Sequence, residues 1–382
     1  MRFIHLSDLH IGKSVNGFSM LEEQRHVFKQ VLSCIDSKKP EAVIIAGDVY
    51  DRAVPGVDAV RLFDFFLTEL ARRRVTVLIV SGNHDSPERL SFARRLLSQR
   101  AVYIVGEFDG MLRYVSFQDE YGGVRVWLMP FIKPAAVAGY FPEIKIESYD
   151  DAAAAVLGTA KVDFNIRNVL VSHQYYTLPG VSLVRCESET NAIGGLDAVD
   201  AGLLSGFDYA ALGHLHRSQR AGGEHARYAG SPVKYSFSEW QYEKSALLVE
   251  LRNKGDISIE ALPLKPIHGM REIRGRLDEL IGGETANLAD REDYLRVILT
   301  DEDELVDPMG KLRSVYPNIM SLDFENTRTS IDLAAVTAET DAAGSLSPYD
   351  LFSEFFLDVQ GSVMSADQAR IVKELLETED AQ

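Results

Sequence analysis

The chain has 382 residues, with 40 Lys and Arg against 57 Asp and Glu, for a formal charge of −17. A hydrophobic fraction of 46% beside 25% charged residues excludes global disorder, and the length predicts two or three domains. The acidic balance argues against a protein that coats DNA by bulk positive charge, but the acidity is uneven: residues 1–265 carry 30 basic and 32 acidic side chains, 266–330 carry 8 and 14, and 331–382 carry 2 and 11.

The N-terminus runs straight into Phe3-Ile4-His5-Leu6, without the basic stretch and long apolar region of an export signal. No apolar run approaches a membrane span, so a soluble, cytoplasmic protein with no membrane partner is expected. Residues 2–6 are the first predicted strand. Residues 21–35 place Leu21, Val27, Phe28, Val31, Leu32 and Ile35 at largely helical spacing, and Cys34 lies within this segment. A strand over 42–46 is followed by a second helix over 58–73, marked by Val60, Phe63, Phe66, Leu67 and Leu70. Strands over 75–80, 101–105, 124–129, 168–172, 207–212 and 246–251 continue the series. Strands alternating with helices predict an α/β domain over 1–265. Pro263-Leu264-Lys265-Pro266-Ile267-His268-Gly269 reads as a linker. A smaller unit over 266–330 follows, with strands at 270–275, 294–300 and 318–325 and a helix at 303–315. Residues 331–382 combine a loose stretch at 335–348 with a strongly helical segment at 349–378. Two cysteines, Cys34 and Cys186, make no disulfide framework and fit a reducing compartment.

Five of the predicted strands end in metal-ligand residue types. They are Ser7-Asp8-Leu9-His10, Gly47-Asp48-Val49-Tyr50-Asp51, Ser81-Gly82-Asn83-His84-Asp85, His173, and Gly213-His214-Leu215-His216. In α/β sheets, functional residues gather beyond the carboxyl ends of strands. One such histidine is more often a packed residue, but five strand ends in the same register are hard to explain by packing. Imidazole, carboxylate and amide groups together suit divalent first-row metals, and the lack of Cys argues against a structural zinc site. Asp-x-His and His-x-His place alternate side chains on one face of an extended segment. The spacing predicts a dinuclear metal site.

In that order, D-x-H, G-D-x-x-D, G-N-H-D, an isolated His and G-H-x-H resemble the calcineurin-like metallophosphoesterase superfamily over residues 1–265. SDLHIGKSVNGFSMLEEQR, AGDVYDR, SGNHDSPERL and GHLHRSQ further resemble the SbcD family, the nuclease subunits of bacterial SbcCD complexes. The resemblance implies an α/β fold in which a β-sandwich is flanked by helices, followed by a small α+β DNA-capping domain and C-terminal helices. It implies two Mn²⁺ ions, with Mg²⁺ as a substitute: Asp8, His10 and His216 at the first, Asn83, His173 and His214 at the second, and Asp48 bridging. It implies that His84 is a catalytic residue at the scissile phosphate and not a ligand. Relatives of the archaeal and eukaryotic branch have His where this chain has Asp51, which leaves the role of that position open.

The activity implied is that of an Mn-dependent DNA nuclease subunit, ATP-dependent through an SbcC ATPase. It would act as a 3′–5′ exonuclease on duplex ends and an endonuclease on single strands and hairpins, in DNA repair, recombination and replication. The expected assembly is a homodimer within a heterotetramer, two copies of this chain with two SbcC. A small-molecule or cyclic-nucleotide phosphodiesterase on the same fold is the alternative, but the two C-terminal appendages would then lack a purpose. Gly12-Lys13-Ser14 mimics the end of a P-loop, yet the Gly required five positions earlier is Ser7, so no ATP site is expected in this chain. Lys13 and Arg52 adjoin the metal motifs, and Arg89, Arg94 and Arg95 follow Gly-Asn-His-Asp on a predicted helix, which makes these five the candidates for DNA phosphate contact. Leu351, Phe352, Phe355, Phe356 and Val359 form an apolar stripe suited to lie on the ATPase partner.

Overall fold

The computed structural model describes residues 1–189, 197–282 and 291–325, with 349, 352–353, 356–357, 363–365 and 368–372 beyond them. Two six-stranded sheets face each other. The first runs Ile257–Leu264, Lys244–Leu251, Arg2–Leu6, Ala42–Ala46, Thr76–Val80, Val102–Val105. The second runs Gln219–Arg220, Ala226–Tyr228, Tyr209–Gly213, Arg167–His173, Gly122–Met129, Arg113–Asp119. In the first sheet Arg2–Leu6, Ala42–Ala46, Thr76–Val80 and the edge strand Val102–Val105 pair parallel, while Lys244–Leu251 and Ile257–Leu264 add antiparallel at the other edge; in the second the four inner strands pair parallel and an antiparallel strand closes each edge. Strands buried on both faces read as unbroken apolar runs, which is why Ala42–Ala46 is Ala-Val-Ile-Ile-Ala.

Alternation along each strand divides the core into layers. Phe3, Ile44, Leu78, Val126, Val171 and Tyr209 point between the sheets. Ile4, Val43 and Ile79 point the other way, onto the helices Leu21–Lys38 and Val57–Arg72, whose Phe28 and Phe66 rings stack at 4.4 Å. Trp127, Leu170 and Leu212 cover the outer face of the second sheet together with Ala152 and Val156 of the helix Tyr149–Gly158.

Residues Met270–Gly275, Tyr294–Leu299 and Ile319–Phe324 form a separate parallel sheet, with the helices Leu277–Gly282 and Pro308–Arg313 between them in sequence. Its core is Ile273, Leu295, Val297, Leu312, Tyr316 and neighbours. Met270, Tyr294 and Met320 instead join the core beneath the first sheet. The predicted linker is shorter than expected, because Pro263 and Leu264 belong to the strand Ile257–Leu264. Its remainder is pinned: the Glu23 carboxylate accepts from the Ile267 and His268 amides at 2.7 and 3.1 Å and from His268 Nδ1 at 2.6 Å.

Two predicted helices differ. The one expected over 303–315 is only Pro308–Arg313, started by Asp307, whose side chain accepts from the Gly310 amide, and by Pro308 at the first turn. The helix carrying Arg89, Arg94 and Arg95 is two short pieces, Pro87–Leu90 and Arg94–Ser98, broken where Ala93 turns left-handed at φ 59°. Most of the predicted C-terminal helix, including Leu351, Phe355 and Val359, lies outside the described residues; Phe352 is exposed and Phe356 half-buried. Among the described residues, no helix is long and apolar enough to cross a membrane.

Candidate metal centre

Both sheets deliver their ligand-type residues to one end of the sandwich. Asp8 and His10 follow Arg2–Leu6, Asp48 follows Ala42–Ala46, and Asn83 and His84 follow Thr76–Val80 in the first sheet. His173 ends Arg167–His173, and His214 and His216 follow Tyr209–Gly213 in the second. Close approach of these loops requires glycine. A Cβ on Gly82 would overlap the Asp48 carboxylate, and one on Gly213 would overlap the Ala46 carbonyl and the His173 ring.

The side chains then converge. His10 Nε2 and His216 Nε2 lie 3.0 Å apart. Asp48 Oδ2 lies 3.5 Å from His10 Nε2 and 3.3 Å from His173 Nε2, between the two halves of the cluster. Asn83 Oδ1 is 3.0 Å from His173 Nε2 and 3.1 Å from His214 Nδ1. Asp8, His10 and His216 form one set of potential ligand atoms within 4.8 Å of one another, and Asp8, Asp48 and His173 form another. His84 forms a third with His10 and Asp48; its ring stands edge-on to His10 at 4.8 Å, and its Nδ1 is held by the Asp51 carbonyl at 2.9 Å.

Burial pushes the Asp8 carboxyl up to about 7, aided by the Asp48 charge and opposed by His173. Burial also opposes the charges on Asp48 and His173, but their mutual attraction prevails, holding Asp48 well below the usual carboxylate range and raising His173 to about 9. Burial lowers His10, His214 and His216, so these imidazoles stay neutral, as ligation requires. Asp8 Oδ2, His10 Nδ1 and His214 Nε2 are buried without a hydrogen-bond partner. An orphaned carboxylate oxygen inside such a set is costly unless a cation meets it. The donors present fit a pair of divalent ions.

Further residues support the ligand candidates. His173 Nδ1 meets the Ala46 carbonyl at 2.8 Å, and His216 Nδ1 meets Ser188 Oγ at 2.7 Å, which in turn donates to Glu239 at 2.8 Å. Asp197 Oδ2 lies 3.8 Å from His214 Nε2. Gln24 clamps the first loop, accepting from the Gly12 amide and donating to the His10 carbonyl at 2.8 Å. Asp51 accepts from Lys13 Nζ at 2.9 Å and sits 3.7 Å from His10 Nδ1. Gln24 and Asp51 lie inside stretches that the sequence singles out; Ser188, Asp197 and Glu239 give no spacing signal.

The basic candidates divide. Lys13 lies beside the cluster, and Arg52 pairs with Asp51 at 3.5 Å while remaining 81% exposed. Arg89 is exposed on the short helix after His84. Arg94 and Arg95 instead line a groove with Tyr103, Arg113 and Tyr114, to which none of the clustered residues contributes.

The calcineurin-like phosphoesterase family profile matches residues 1–218, and a profile described as the Type 5 capsule protein repressor C-terminal domain matches residues 266–360. The chain is 30% identical over 325 residues to the SbcD component of the SbcCD nuclease of Staphylococcus epidermidis, covering 84% of this chain and 85% of the relative. It is 29% identical over 381 residues to the corresponding SbcD component of Staphylococcus saprophyticus, covering 98% of each. Among solved structures, a dimetal phosphatase from Danio rerio aligns with a TM-score of 0.41 at 12% identity, over 70% of this chain and 97% of that one. The chain belongs to the calcineurin-like phosphoesterases, which hydrolyse phosphoester bonds, and among them to the SbcD family.

Proposed function

We propose that this chain is the nuclease component of an SbcCD-type complex, hydrolysing DNA phosphodiesters with two divalent ions, Mn²⁺ in preference to Mg²⁺. The observation that carries the reading is the convergence of ligand-type residues from five strand ends on one buried cluster, with Asp48 Oδ2 between its halves. Asp8, His10 and His216 would hold one ion, Asn83, His173 and His214 the other, and Asp48 both. Such a pair, when bound, supplies a water acidic enough to attack at neutral pH and charge to offset that of the phosphate.

The chain's own residues do the rest. His84, fixed through Nδ1 by the Asp51 carbonyl, presents Nε2 to the scissile phosphate and can hold or give a proton at the leaving oxygen. Lys13, tethered to Asp51, adds positive charge beside the cluster. Arg52 and Arg89 contact the flanking backbone, and Arg94 and Arg95 a more distant part of it. Residues 266–330 cap the DNA. The stripe Leu351, Phe352, Phe355, Phe356 and Val359 docks an SbcC-type ATPase, two copies of each protein assembling in the cytoplasm. DNA ends and hairpins are the substrates, in repair, recombination and replication.

The test is cleavage of single-stranded, hairpin and blunt duplex DNA by the purified protein with Mn²⁺. His84→Gln should lose cutting by about a hundred-fold or more while still taking up metal. Cutting by Asp48→Ala at the wild-type rate would overturn the assignment. Faster turnover of cyclic nucleotides than of DNA would favour the small-molecule reading instead.

A further inference from the structure

A cavity of about 340 Å³ adjoins the cluster, reaching Asn83 at one end. It is built at the same end of the sandwich, from the segments that follow Val102–Val105 in the first sheet and Gly122–Met129 in the second. Its walls are aromatic and aliphatic: Phe108, Phe131, Val137 and Tyr140, with Lys133 exposed. The Phe131 ring stands 6.3 Å from that of His173, and the Phe108 and Tyr140 rings meet edge to face at 5.4 Å. Tyr140 is 49% exposed, an aromatic left partly open beside a polar site.

The inner polar groups of this cavity are already engaged. Ser81 Oγ donates to the Gly106 carbonyl at 2.6 Å, and the Asp85 carboxylate accepts from the Val49, Tyr50 and Gly82 amides at 2.9–3.1 Å. Apart from the exposed side chains of Glu107 and Lys133, the cavity offers ring faces and aliphatic surface, next to the place where a phosphodiester must lie. Aromatic surface of this kind binds nucleobases by stacking, without reading their edges. Its volume lies within the range of small-molecule pockets and admits one base with room to spare.

We infer that this cavity is a nucleobase subsite, taking the base next to the scissile phosphate out of its stack and against Phe108, Phe131 and Tyr140, with Lys133 on the flanking phosphate. The inference rests on the DNA-nuclease reading above. It has a consequence for substrate choice: a base leaves the stack at least cost in a single strand, a hairpin loop or a frayed end, so those are the favoured positions of attack. The absence of edge reading makes the subsite indifferent to which base it holds.

The experiment uses the full chain with Mn²⁺ and oligonucleotides that contain one cleavable phosphodiester. The nucleotide on one side of it, then the other, carries either a base or an abasic tetrahydrofuran. The wild type should cut the base-containing strand roughly five- to hundred-fold faster than the abasic strand when the substitution is on the subsite side. In Tyr140→Ala, and separately in Phe108→Leu, that ratio should fall toward one; a purely structural defect would lower both rates and leave the ratio intact. A wild-type ratio of one on both sides, or a ratio unchanged in both variants, overturns the subsite. Cleavage of neither strand by the wild type sinks the nuclease reading and the subsite with it, whereas equal cleavage sinks the subsite alone.

Discussion

Asp8, His10 and Asp48 sit at φ of 52°, 42° and 48°, and His214 at 105°. A left-handed backbone at a residue with a Cβ costs on the order of 1–3 kcal/mol, so strain is concentrated where the candidate ligands lie. Neighbouring backbone holds it in place: the Asp8 and His10 amides donate to the carbonyls of Gly47 and Asp48, and the His214 amide to Asp8 Oδ1. The motif spacing made these residues legible in the sequence, but not the twist that turns them onto one point, nor the role of Asp51, which is set only when its loop folds beside His10. His5, three residues before Asp8, shows a different use of burial. It bridges the two sheets through Nδ1 and the Tyr209 hydroxyl at 2.9 Å, and burial pushes its imidazole down to about 3. The folded protein keeps His5 neutral, while an unfolded chain takes up the proton near pH 6.5. This residue's contribution is therefore complete above pH 6.5 and declines as pH falls toward 3. Between pH 7 and 4.5 the wild type should lose about 2 kcal/mol more stability than His5→Leu. Urea denaturation at both pH values measures this, and equal losses would show that His5 is not held neutral.

At the level of elements, the strands with buried faces were readable because each carries a dense apolar run, whereas Arg113–Asp119 and Ile257–Leu264 were not. Both form sheet edges and alternate apolar with exposed polar residues, so their strand character depends on the partner they pair with. The same limit hid the support of His216. It is gripped by a turn at Cys186–Glu189, the single-turn helix Phe237–Glu239 and the strand Lys244–Leu251, remote from one another in sequence. Ser188 donates its one hydroxyl proton to Glu239 and so accepts from His216 Nδ1, which leaves His216 Nε2 as the basic edge facing His10. Glu239, fully buried, is paired with Lys244, and Lys244 Nζ donates to the His216 carbonyl at 2.8 Å. These two layers separate experimentally. Ser188→Ala leaves the ion pair intact and should weaken Mn²⁺ binding about ten-fold or more with little loss of stability. Glu239→Ala strands a buried ammonium and should cost about 3–5 kcal/mol of folding stability. Titration calorimetry with Mn²⁺ and denaturant melts give the two numbers, and unchanged affinity in Ser188→Ala would remove Ser188 from the support of the centre.

For the whole molecule, the charge of −17 splits into −2 over residues 1–265 (30 basic, 32 acidic) and −15 beyond. Asp8 and Asp48 are among those 32 acids, and divalent ions between them would turn that end of the sandwich locally positive. The remaining acidity belongs to residues 266–382, outside the segment that carries the cluster. The cluster also joins the two sheets, since the first contributes Asp8, His10, Asp48 and Asn83 and the second contributes His173, His214 and His216. Ions held from both sides bind the folded chain and not the unfolded one, so occupancy must stabilise the sandwich as a unit. At Mn²⁺ about a hundred-fold above its dissociation constant the gain is about 2.7 kcal/mol, or a rise in melting temperature of about 3 °C for a chain of this size. A chelator should reverse the rise, and Asp48→Ala, which removes the group between the halves, should abolish it. Thermal melts across a Mn²⁺ titration decide the matter. A wild-type melting temperature indifferent to Mn²⁺ would mean that the seven residues converge for packing alone, and then neither the orphaned Asp8 oxygen nor the four left-handed residues would have a physical reason.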